Sequence, residues 1–451
     1  MSIANSLPPL ATIRERREAG HAVRERLPRG AHGIWVAPAD RRDPVALIQA
    51  ADAGRIPALL PLRYARMQAD AFAFLRGSAA VMAADLGVLP DTGIVVQACG
   101  DCHLANFGAY ASPEGTPVFD INDFDETLPA PFEWDLKRLA ASLAVAAKVR
   151  GATEKRARAL VRRAAHAYRR HMHDLAQVAP LDAWRAKIDL DRALDDIADR
   201  EVRRGERQRL EAAVATSRDA YRHLIAPDGL RLPDRPPAVF RLGAHEQIAH
   251  AAFAAYVATL AEERRVLVQR YRLRDVAFKA VGVGSVGTFC AIGLYATPDN
   301  DTLLLQLKQA ERSVLAPYAG ESAYFHQGQR VVVGQRITQA AVDVFLGWAE
   351  DAQGRQFYVR QLKDSRLARV GVRIEEAALP FYARLCGRTL ARAHARAGDA
   401  ARVAGYLGEG DVFDEALAAF ARAYAAQTVQ DHAAFVAAIT AGRIEAAKEP
   451  T

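Results

Sequence analysis

The spacing of apolar residues changes twice along the chain, and each change predicts a new kind of element. Up to about residue 90, apolar residues recur every three or four positions, as in "LLPLRYARMQADAFAFLRGSAAVMAADL", which predicts amphipathic helices. The short apolar runs in "GIVVQACG" and "TPVFDI" are typical of buried strands. A polar loop separates them, and an acidic loop with prolines then leads into a long helix at "EWDLKRLAASLAVAAKV".

The second change comes near Val276, where glycines and a "PDND" turn separate apolar runs in "VAFKAVGVGSVGTFCAIGLYATPDNDTLLLQLKQA". This pattern predicts strands joined by tight turns. A helix is predicted near "QRVVVGQRITQAAVDVFLGWA", one more strand at "RQFYVRQL", and helices from about Glu375 onward. The pattern therefore predicts an α+β protein in which one mostly β segment interrupts a helical chain.

We expect two lobes, a mostly helical large lobe and a small lobe built on an antiparallel sheet. The expected parts are an N-terminal helical segment packed on the large lobe (1–90), the large lobe itself (91–270), the small β lobe (271–365) and C-terminal helices that complete the large lobe (366–451). Apolar residues make up 51% of the 451 residues, which is enough for a sizeable core.

The charge balance is mildly basic, with 60 Lys and Arg against 53 Asp and Glu. Scattered basic residues indicate solubility and suit an anionic ligand such as a nucleotide. No zinc finger, aromatic-rich RNA motif or dense basic arm favours a nucleic-acid partner. No apolar run predicts a membrane span, and the N-terminus lacks the apolar core of a signal peptide, so we expect a cytoplasmic protein without a membrane partner.

The motif "GVGSVG" places Gly282, Gly284 and Gly287 in G-x-G-x-x-G spacing around Ser285. A dinucleotide-binding loop of this type must open a helix, whereas the following "TFCAIGLYA" favours a strand. A Walker loop is excluded because no G-K-[ST] follows. A glycine hairpin between strands is the kinase arrangement, in which the backbone approaches nucleotide phosphates. A plain glycine-rich hairpin is the alternative.

A kinase-type loop also requires a lysine on the third strand, and "LLLQLKQA" supplies Lys308. A buried ammonium group is costly unless an anion pairs with it. We therefore expect Lys308 to face a phosphate or a glutamate, and Glu311 and Glu321 are candidates that the sequence does not rank.

The decapeptide "ACGDCHLANF" places Asp101 and Asn106 five positions apart, which is the spacing of the aspartate and asparagine in the catalytic loop of protein kinases. The following "PVFDINDFD" ends a predicted strand with Asp120, Asp123 and Asp125. Phosphoryl transfer needs one carboxylate to orient the attacking hydroxyl and further oxygen ligands for Mg²⁺. These two loops contain the residue types that such chemistry requires.

The decapeptide also permits other chemistry. Cys99 and Cys102 could form a redox or metal pair, but no thioredoxin-like context surrounds them. Asp101 and His103 could belong to a dinuclear metallohydrolase, but that site would need further histidine ligands that the chain does not offer nearby. We expect the cysteines to fill space and His103 to brace the loop.

Five charged residues near these motifs have less certain roles. Asp125 and Glu126 are either a second metal site or loop caps, and the sequence leaves both possibilities open. We expect Arg63, Arg66 and Arg76 to brace the acidic loops rather than to contact phosphate.

These motifs resemble those of aminoglycoside and choline kinases, which carry H-G-D-x-H-x-x-N, a strand ending in I-D and a [WY]-D-[LI]-A helix start. The matching stretches are "CGDCHLAN", "VFDIND" and "EWDLKRLA", with a cysteine in place of the leading histidine. The resemblance implies that Asp101 is the catalytic aspartate, that Asn106 and Asp123 hold Mg²⁺, and that Asp135 is a structural carboxylate at a helix start.

The whole chain is identified as a member of a bacterial family labelled domain of unknown function twenty-two fifty-two, which is grouped with kinase-like folds. The family usually has K-E-A where this chain has Lys308-Gln309-Ala310, so a glutamate partner of the lysine is missing at that position. The motifs that carry the resemblance follow the family's order: "RYARM", "FAFLRG", "GDCHLANFG", "FDINDFDET", "WDLKRLAAS", "VGVGSVGT", "LQLKQA", "GQRITQA", "YVRQLKD", "LARAHARAGD" and "GYLG".

The order of the motifs differs from that of a standard kinase, because the acidic loops precede the glycine loop and lysine. We infer a circularly permuted protein-kinase-like fold, since chemistry depends on spatial geometry rather than on chain order. In this arrangement "FYVRQLKD" is the hinge, and "LARAHARAG" is the helix that ordinarily precedes the catalytic loop.

The expected function is transfer of the γ-phosphoryl group of ATP, with Mg²⁺, to a hydroxyl acceptor. In this scheme the glycine loop covers the phosphates and Lys308 holds them. Two alternatives stay open: transfer of AMP by the same fold, and a pseudokinase that binds nucleotide and regulates a partner. The sequence does not identify the acceptor, which is either a small molecule or a protein.

Overall fold

The computed structural model describes residues 10–215, 224–227, 229–236, 239–279, 282–362 and 376–447. Helices dominate, and the strands form small antiparallel sheets, so the predicted α+β class is confirmed. Within the described residues, no helix has both the length and the apolar composition needed to cross a membrane.

The helices cluster at the two ends of the chain and in its middle third. In chain order they are α1 Ile13–Arg26, α2 Pro44–Ala51, α3 Leu60–Gln68, α4 Ala71–Gly77, α5 Ala79–Gly87, α6 Phe132–Val149, α7 Glu154–Leu175, α8 Pro180–Arg185, α9 Leu190–Leu194, α10 Arg200–Ala215, α11 Ala244–Ala258, α12 Glu262–Val268, α13 Ala316–Ala319, α14 Gln327–Thr338, α15 Leu379–Ala397, α16 Ala400–Leu407 and α17 Val412–Thr440.

In the part of the chain that the structure describes, the strands form one six-stranded sheet and two separate strand pairs. Their bounds are β1 Val95–Ala98, β2 Phe107–Ala111, β3 Pro117–Ile121, β4 Leu128–Pro131, β5 Val239–Phe240, β6 Arg272–Lys279, β7 Cys290–Ala296, β8 Thr302–Gln309, β9 Gly347–Glu350 and β10 Gln356–Gln361. The large sheet has the order β5-β6-β7-β8-β10-β9, and every neighbouring pair is antiparallel. Strands β1 and β4 form one pair, and β2 and β3 form the other.

Helix α6 is the centre of the helical core. Sixteen of its 18 residues are buried, which fits a helix that is covered on all sides rather than on one face. Helices α7 and α17 pack against it, and β1 runs beside it. The predicted strand and helix on either side of the acidic loop are confirmed, but part of that loop is itself strand β4, whose Pro129 and Pro131 are tolerated because the pair has only two strands.

The sheet has its own apolar core, to which residues from before β6 contribute. Helix α11 covers a face of the sheet and contributes Phe253 and Tyr256 to the core beneath it. Strand β5 joins the same sheet. Residues before 271 therefore help to build the sheet and its core, because an apolar sheet face must be covered by another element.

Two segments connect the sheet to the helical core. Helix α14 contacts β9 and β10 on one side and α15 and β1 on the other. Helices α2 to α4 lie against α17, and the loop after α2 reaches the glycine loop, where Ile56 N donates to Gly287 O at 2.7 Å. A cleft lies beside the second connection, lined by the loop after α2 and by the glycine loop.

Candidate functional site

A cleft between the glycine loop and the helical core contains most of the residues singled out from the sequence. Asp101, Asn106 and Asp123 line it from the helical side, and Gly284 and Ser285 line it from the sheet side. Gly282 and Gly287 lie at the two ends of the same loop. Lys308 is buried behind Asp123 and Asp125, which together are called the acidic wall. Residues from distant parts of the sequence thus meet around one space.

The loop that carries Asp101 is fixed to the start of α6. Gly100 has φ +86°, and a Cβ there would lie 2.7 Å from the carbonyl carbon of Glu126, so only glycine fits. The carboxylate of Asp135 accepts hydrogen bonds from Cys99 N at 2.8 Å and Gly100 N at 3.1 Å. Asp135 therefore holds the turn that leads into Asp101.

The Asp101 carboxylate is oriented by a buried arginine from α6. Arg138 donates from Nε to Oδ1 at 2.9 Å, and its Nη2 lies 2.7 Å from the same oxygen. The ring of His103 lies farther away, with Nε2 3.7 Å from Oδ2. Burial lowers the pKa of His103 to about 4, so the ring is neutral near pH 7 and acts as an uncharged neighbour of Asp101.

Asn106 and Asp123 meet at the open end of the β2–β3 hairpin. Phe107 pairs with Ile121 in that hairpin, and Asn122 N donates to Asn106 O at 2.7 Å. The side-chain Nδ2 of Asn106 donates to the backbone carbonyl of Asp101 at 2.6 Å, which leaves Oδ1 available as a ligand. An amide oxygen and a carboxylate are ligands that Mg²⁺ accepts.

Lys308 lies in the middle of β8 and is 2% exposed. Its Nζ forms an ion pair with Asp125 and lies 3.7 Å from Oδ2 of Asp123. Tyr358 on the neighbouring strand donates to the other oxygen of Asp125 at 2.7 Å. Burial alone lowers the pKa of Lys308, but the charges of Asp123 and Asp125 outweigh burial and raise that pKa above its ordinary value.

The partner of Lys308 is therefore not either of the glutamates considered from the sequence. Glu321 is exposed and pairs with Arg312 at 3.0 Å, while the Glu311 carboxylate accepts a hydrogen bond from the side chain of Gln309. Asp125 occupies the position beside the lysine instead. The sequence signal was present, because Asp125 follows the predicted metal aspartate by two residues, but several roles were compatible with it.

Glu126, whose role the sequence left open, caps the backbone of a neighbouring loop at Val314. Its Oε2 accepts a hydrogen bond from Val314 N at 2.7 Å, and its backbone carbonyl accepts one from Ser313. Asp120, at the end of β3, lies on the far side of the hairpin and pairs with the buried Arg392. Asp120 is thus engaged away from the cleft, whereas Glu126 lines the cleft while it caps the backbone at Val314.

The glycine loop joins β6 and β7, as predicted, and three arginines hold it from outside. Arg63 Nη1 donates to the carbonyls of Val283 at 2.8 Å and Gly284 at 3.0 Å. Arg66 Nη1 donates to Gly282 O at 2.7 Å. The expectation that Arg63 and Arg66 brace the acidic loops was wrong, because both reach the glycine loop from the N-terminal helices instead.

Arg55 is the third arginine that supports the glycine loop. Two backbone amides of the same loop, by contrast, have no hydrogen-bond acceptor among the described residues. Arg55 donates to Val286 O at 2.8 Å and to the hydroxyl of Thr288 at 2.9 Å. Within the described part of the chain, no carbonyl accepts the amide N–H of Gly284 or Ser285. Backbone amides left unpaired in a glycine loop are suited to anion binding.

The two cysteines beside Asp101 are buried and not joined by a disulfide. Burial raises the pKa of Cys102 to about 11 and raises that of Cys99 as well, so both thiols are protonated near pH 7. Their sulfurs and an Asp135 oxygen lie within 4.8 Å of one another, a spacing that a metal ion could bridge. The Asp135 carboxylate already accepts hydrogen bonds from two backbone amides, and its Oδ2 lies 3.2 Å from Nε2 of His394.

The fold and the cleft define an α+β protein with an acidic loop pair facing a glycine loop. The chain belongs to the bacterial family described as "Uncharacterized protein conserved in bacteria" (DUF2252), whose model matches residues 55–438. No curated protein and no solved structure matches the chain significantly. The family match spans the cleft on both sides.

Proposed function

We propose that the protein is a kinase-like phosphotransferase that uses ATP and Mg²⁺ and acts on a hydroxyl group of an unidentified acceptor. One observation carries the proposal: Asp101, Asn106 and Asp123 line the same cleft as the glycine-loop residues Gly284 and Ser285. Phosphoryl transfer depends mainly on positioning and on neutralising phosphate charge, and these residue types supply both.

The oxygen donors of the cleft fit a magnesium ion. Asn106 presents an amide oxygen whose nitrogen is already engaged, and Asp123 presents a carboxylate. Mg²⁺ in nucleotide sites is commonly held by one or two protein oxygens together with phosphates and water. Asn106 and Asp123 would hold the ion, which would neutralise charge on the phosphates.

The sheet side of the cleft would hold the nucleotide phosphates. The unpaired amides of the glycine loop would contact phosphate oxygens, and Lys308 supplies positive charge from behind the acidic wall. The lysine is anchored by Asp125 and Tyr358, which fixes its position on β8. In this scheme Asp125 takes the place of the glutamate that kinases use to hold their lysine.

The helical side would orient the acceptor. Asp101 would accept a hydrogen bond from the acceptor hydroxyl while Arg138 keeps the carboxylate in place. The hydroxyl oxygen forms a bond to the γ-phosphorus, the bond between that phosphorus and the bridging oxygen of ADP breaks, and Asp101 takes the hydroxyl proton. The inverted order of these parts in the chain is why the proposal includes a circularly permuted kinase-like fold.

A second candidate is a nucleotide-binding regulator that transfers nothing. It is favoured by the ion pairs that already engage the key charges, namely Lys308 with Asp125 and Arg138 with Asp101. If Lys308 is catalytic, its ammonium group must reach the phosphates. If the ion pair between Lys308 and Asp125 is only structural, it can stay closed. Measuring transfer separates the two candidates.

The test is incubation of the purified protein with Mg²⁺ and ATP labelled separately at the α- and γ-phosphorus, with a bacterial metabolite and protein extract as the acceptor source. The proposal expects label on a product from γ alone, and loss of at least a hundredfold of that labelling in Asp101→Asn. Asp299→Asn, in an exposed turn, is the matched control and should retain full labelling.

Label transferred from the α-phosphorus would instead support AMP transfer. Nucleotide binding with no transfer, unchanged in Asp101→Asn, would support the regulator. Absence of both binding and transfer would reject all nucleotide-based functions for this cleft.

A further inference from the structure

The last turn of α4 is tied to both sides of the cleft. The carbonyl of Leu75 accepts a hydrogen bond from Arg138 Nη2 at 2.6 Å, and the carbonyl of Gly77 accepts one from Arg63 Nη2 at 2.7 Å. Arg138 also binds Asp101, and Arg63 also binds the glycine loop. The residue between these carbonyls, Arg76, is therefore held between the two loops.

The side chain of Arg76 lines the cleft but forms no ion pair with a carboxylate of the described residues. Its Nε is buried without an acceptor. The guanidinium lies over the ring of Phe72, 6.0 Å from the ring centre. Burial lowers the pKa of Arg76, and the charges of Asp101 and Asp70 only partly oppose this effect.

The other arginines on the cleft wall are paired, which makes Arg76 distinctive. Arg55 and Arg63 both contact the carboxylate of Asp52, at 2.6 Å and 3.0 Å. Arg312 pairs with Glu321 at the rim. A cation that is partly withdrawn from water is costly unless it is paired, so the position of Arg76 is best explained by an anion that arrives with a ligand.

The location of Arg76 indicates what kind of anion it receives. Its carbonyl oxygen approaches Gly284 so closely that a Cβ there would lie 3.2 Å away, and Asp101 is near enough to affect its pKa. The planar guanidinium matches the oxygens of a phosphate group in two-point hydrogen bonding. We propose that Arg76 binds a phosphate group placed between the glycine loop and Asp101.

Two sources of that phosphate fit the geometry, and the choice between them rests on the proposed function. One is the terminal phosphate of a nucleotide whose other phosphates lie under the glycine loop. The other is a phosphate group carried by the acceptor. Both require the same contact with Arg76, so they are distinguished by which ligand loses affinity when the guanidinium is removed.

The experiment is calorimetric titration of wild type, Arg76→Gln and Arg76→Lys with Mg·ATP, Mg·ADP and inorganic phosphate, the last with and without saturating Mg·ADP. Arg312→Gln is the matched control, because it removes the same charge from the same cleft but from a paired residue. Thermal unfolding of each variant verifies that it is folded before titration.

A terminal phosphate contact predicts that Arg76→Gln weakens ATP binding about 10- to 100-fold while ADP affinity stays within twofold. An acceptor phosphate contact predicts unchanged nucleotide affinities and loss of inorganic phosphate binding. In either case Arg76→Lys should retain part of the affinity, and Arg312→Gln should behave as wild type.

The proposal is overturned if Arg76→Gln binds all three ligands as wild type does, or if ATP and ADP affinities fall equally. Failure of wild type to bind any nucleotide would instead reject the proposed function. Titration of the nucleotide-free protein with inorganic phosphate then tests the role of Arg76 independently. The proposed role is rejected if Arg76→Gln still binds phosphate, or if wild type binds none.

Discussion

Lys308 on strand β8 and Asp125 in the acidic loop form an ion pair although 183 positions separate them in the chain. This pair connects the sheet to the loop that carries Asp123, and Tyr358 fixes it from the neighbouring strand. The contact therefore sets the distance between the proposed phosphate-binding and metal-binding sides of the cleft.

Breaking this pair should destabilise the protein. Lys308→Met removes the ammonium group that pairs with Asp125 and lies beside Asp123, and we expect a loss of about 3 kcal/mol in the free energy of unfolding, measured by urea titration. The double variant Lys308→Met/Asp125→Asn should recover at least 1 kcal/mol of that loss. Strict additivity of the two single effects would contradict the pairing.

The backbone at Gly100 should tolerate no side chain. Gly100→Ala forces a Cβ against the Glu126 carbonyl in a left-handed conformation, and we expect a loss of at least about 2 kcal/mol in the free energy of unfolding. Gly115 has a similar φ of +84° but open space around it, so Gly115→Ala is the matched control and should cost only about 1 kcal/mol. Equal losses in the two variants would mean that the Glu126 contact is unimportant.

The pH dependence of stability should include a contribution from His103. Burial lowers its pKa in the folded protein to about 4 from the ordinary value of 6.5, so the unfolded chain binds a proton at this ring that the folded protein excludes. The ring's contribution to stability is therefore complete above about pH 6.5 and is lost as the pH falls toward 4.

His103→Gln tests this directly through urea unfolding at several pH values between 4.5 and 5.5. We expect the slope of unfolding free energy against pH to decrease by about 1.4 kcal/mol per pH unit, the equivalent of one proton. The exposed His21→Gln variant serves for comparison and should leave the slope unchanged. Identical slopes in His103→Gln and wild type would show that the ring titrates normally.

Magnesium and ATP should strengthen each other's binding through Asp123. In wild type we expect Mg²⁺ to raise ATP affinity at least tenfold, measured by calorimetry with and without EDTA. Asp123→Asn should abolish this coupling, because it removes the carboxylate proposed to hold the ion. Asp125→Asn should keep the coupling even if it lowers overall affinity. Retained coupling in Asp123→Asn would assign the metal to other ligands.

The parts of this fold that the sequence predicted are those governed by short-range patterns. Apolar runs separated by "GVGSVG" and a "PDND" turn predicted a strand–loop–strand unit with Lys308 on the next strand, and the structure has this arrangement. The strand at "TPVFDI" was also predicted, whereas its partner β2 lies where a polar loop was expected, and the pairing of the two places Asn106 and Asp123 at one end of a hairpin.

The parts that the sequence did not predict depend on contacts between distant segments. Nothing near Arg63 indicates that it reaches the carbonyl of Gly284, because the three-dimensional path of the N-terminal helices decides that contact. The sequence likewise did not identify Asp125 as the partner of Lys308, because several acidic residues lie close to it in the chain. The expected hinge at "FYVRQLKD" lies partly outside the described residues, and its first part is strand β10.

The most direct test of the central claim is a crystal structure with Mn²⁺ and a non-hydrolysable ATP analogue, with the metal located by its anomalous signal. The account predicts a metal peak bound to Oδ1 of Asn106 and the carboxylate of Asp123, and a triphosphate beneath the glycine loop near Lys308. A nucleotide bound elsewhere, or a metal held only by Cys99, Cys102 and Asp135, would contradict it.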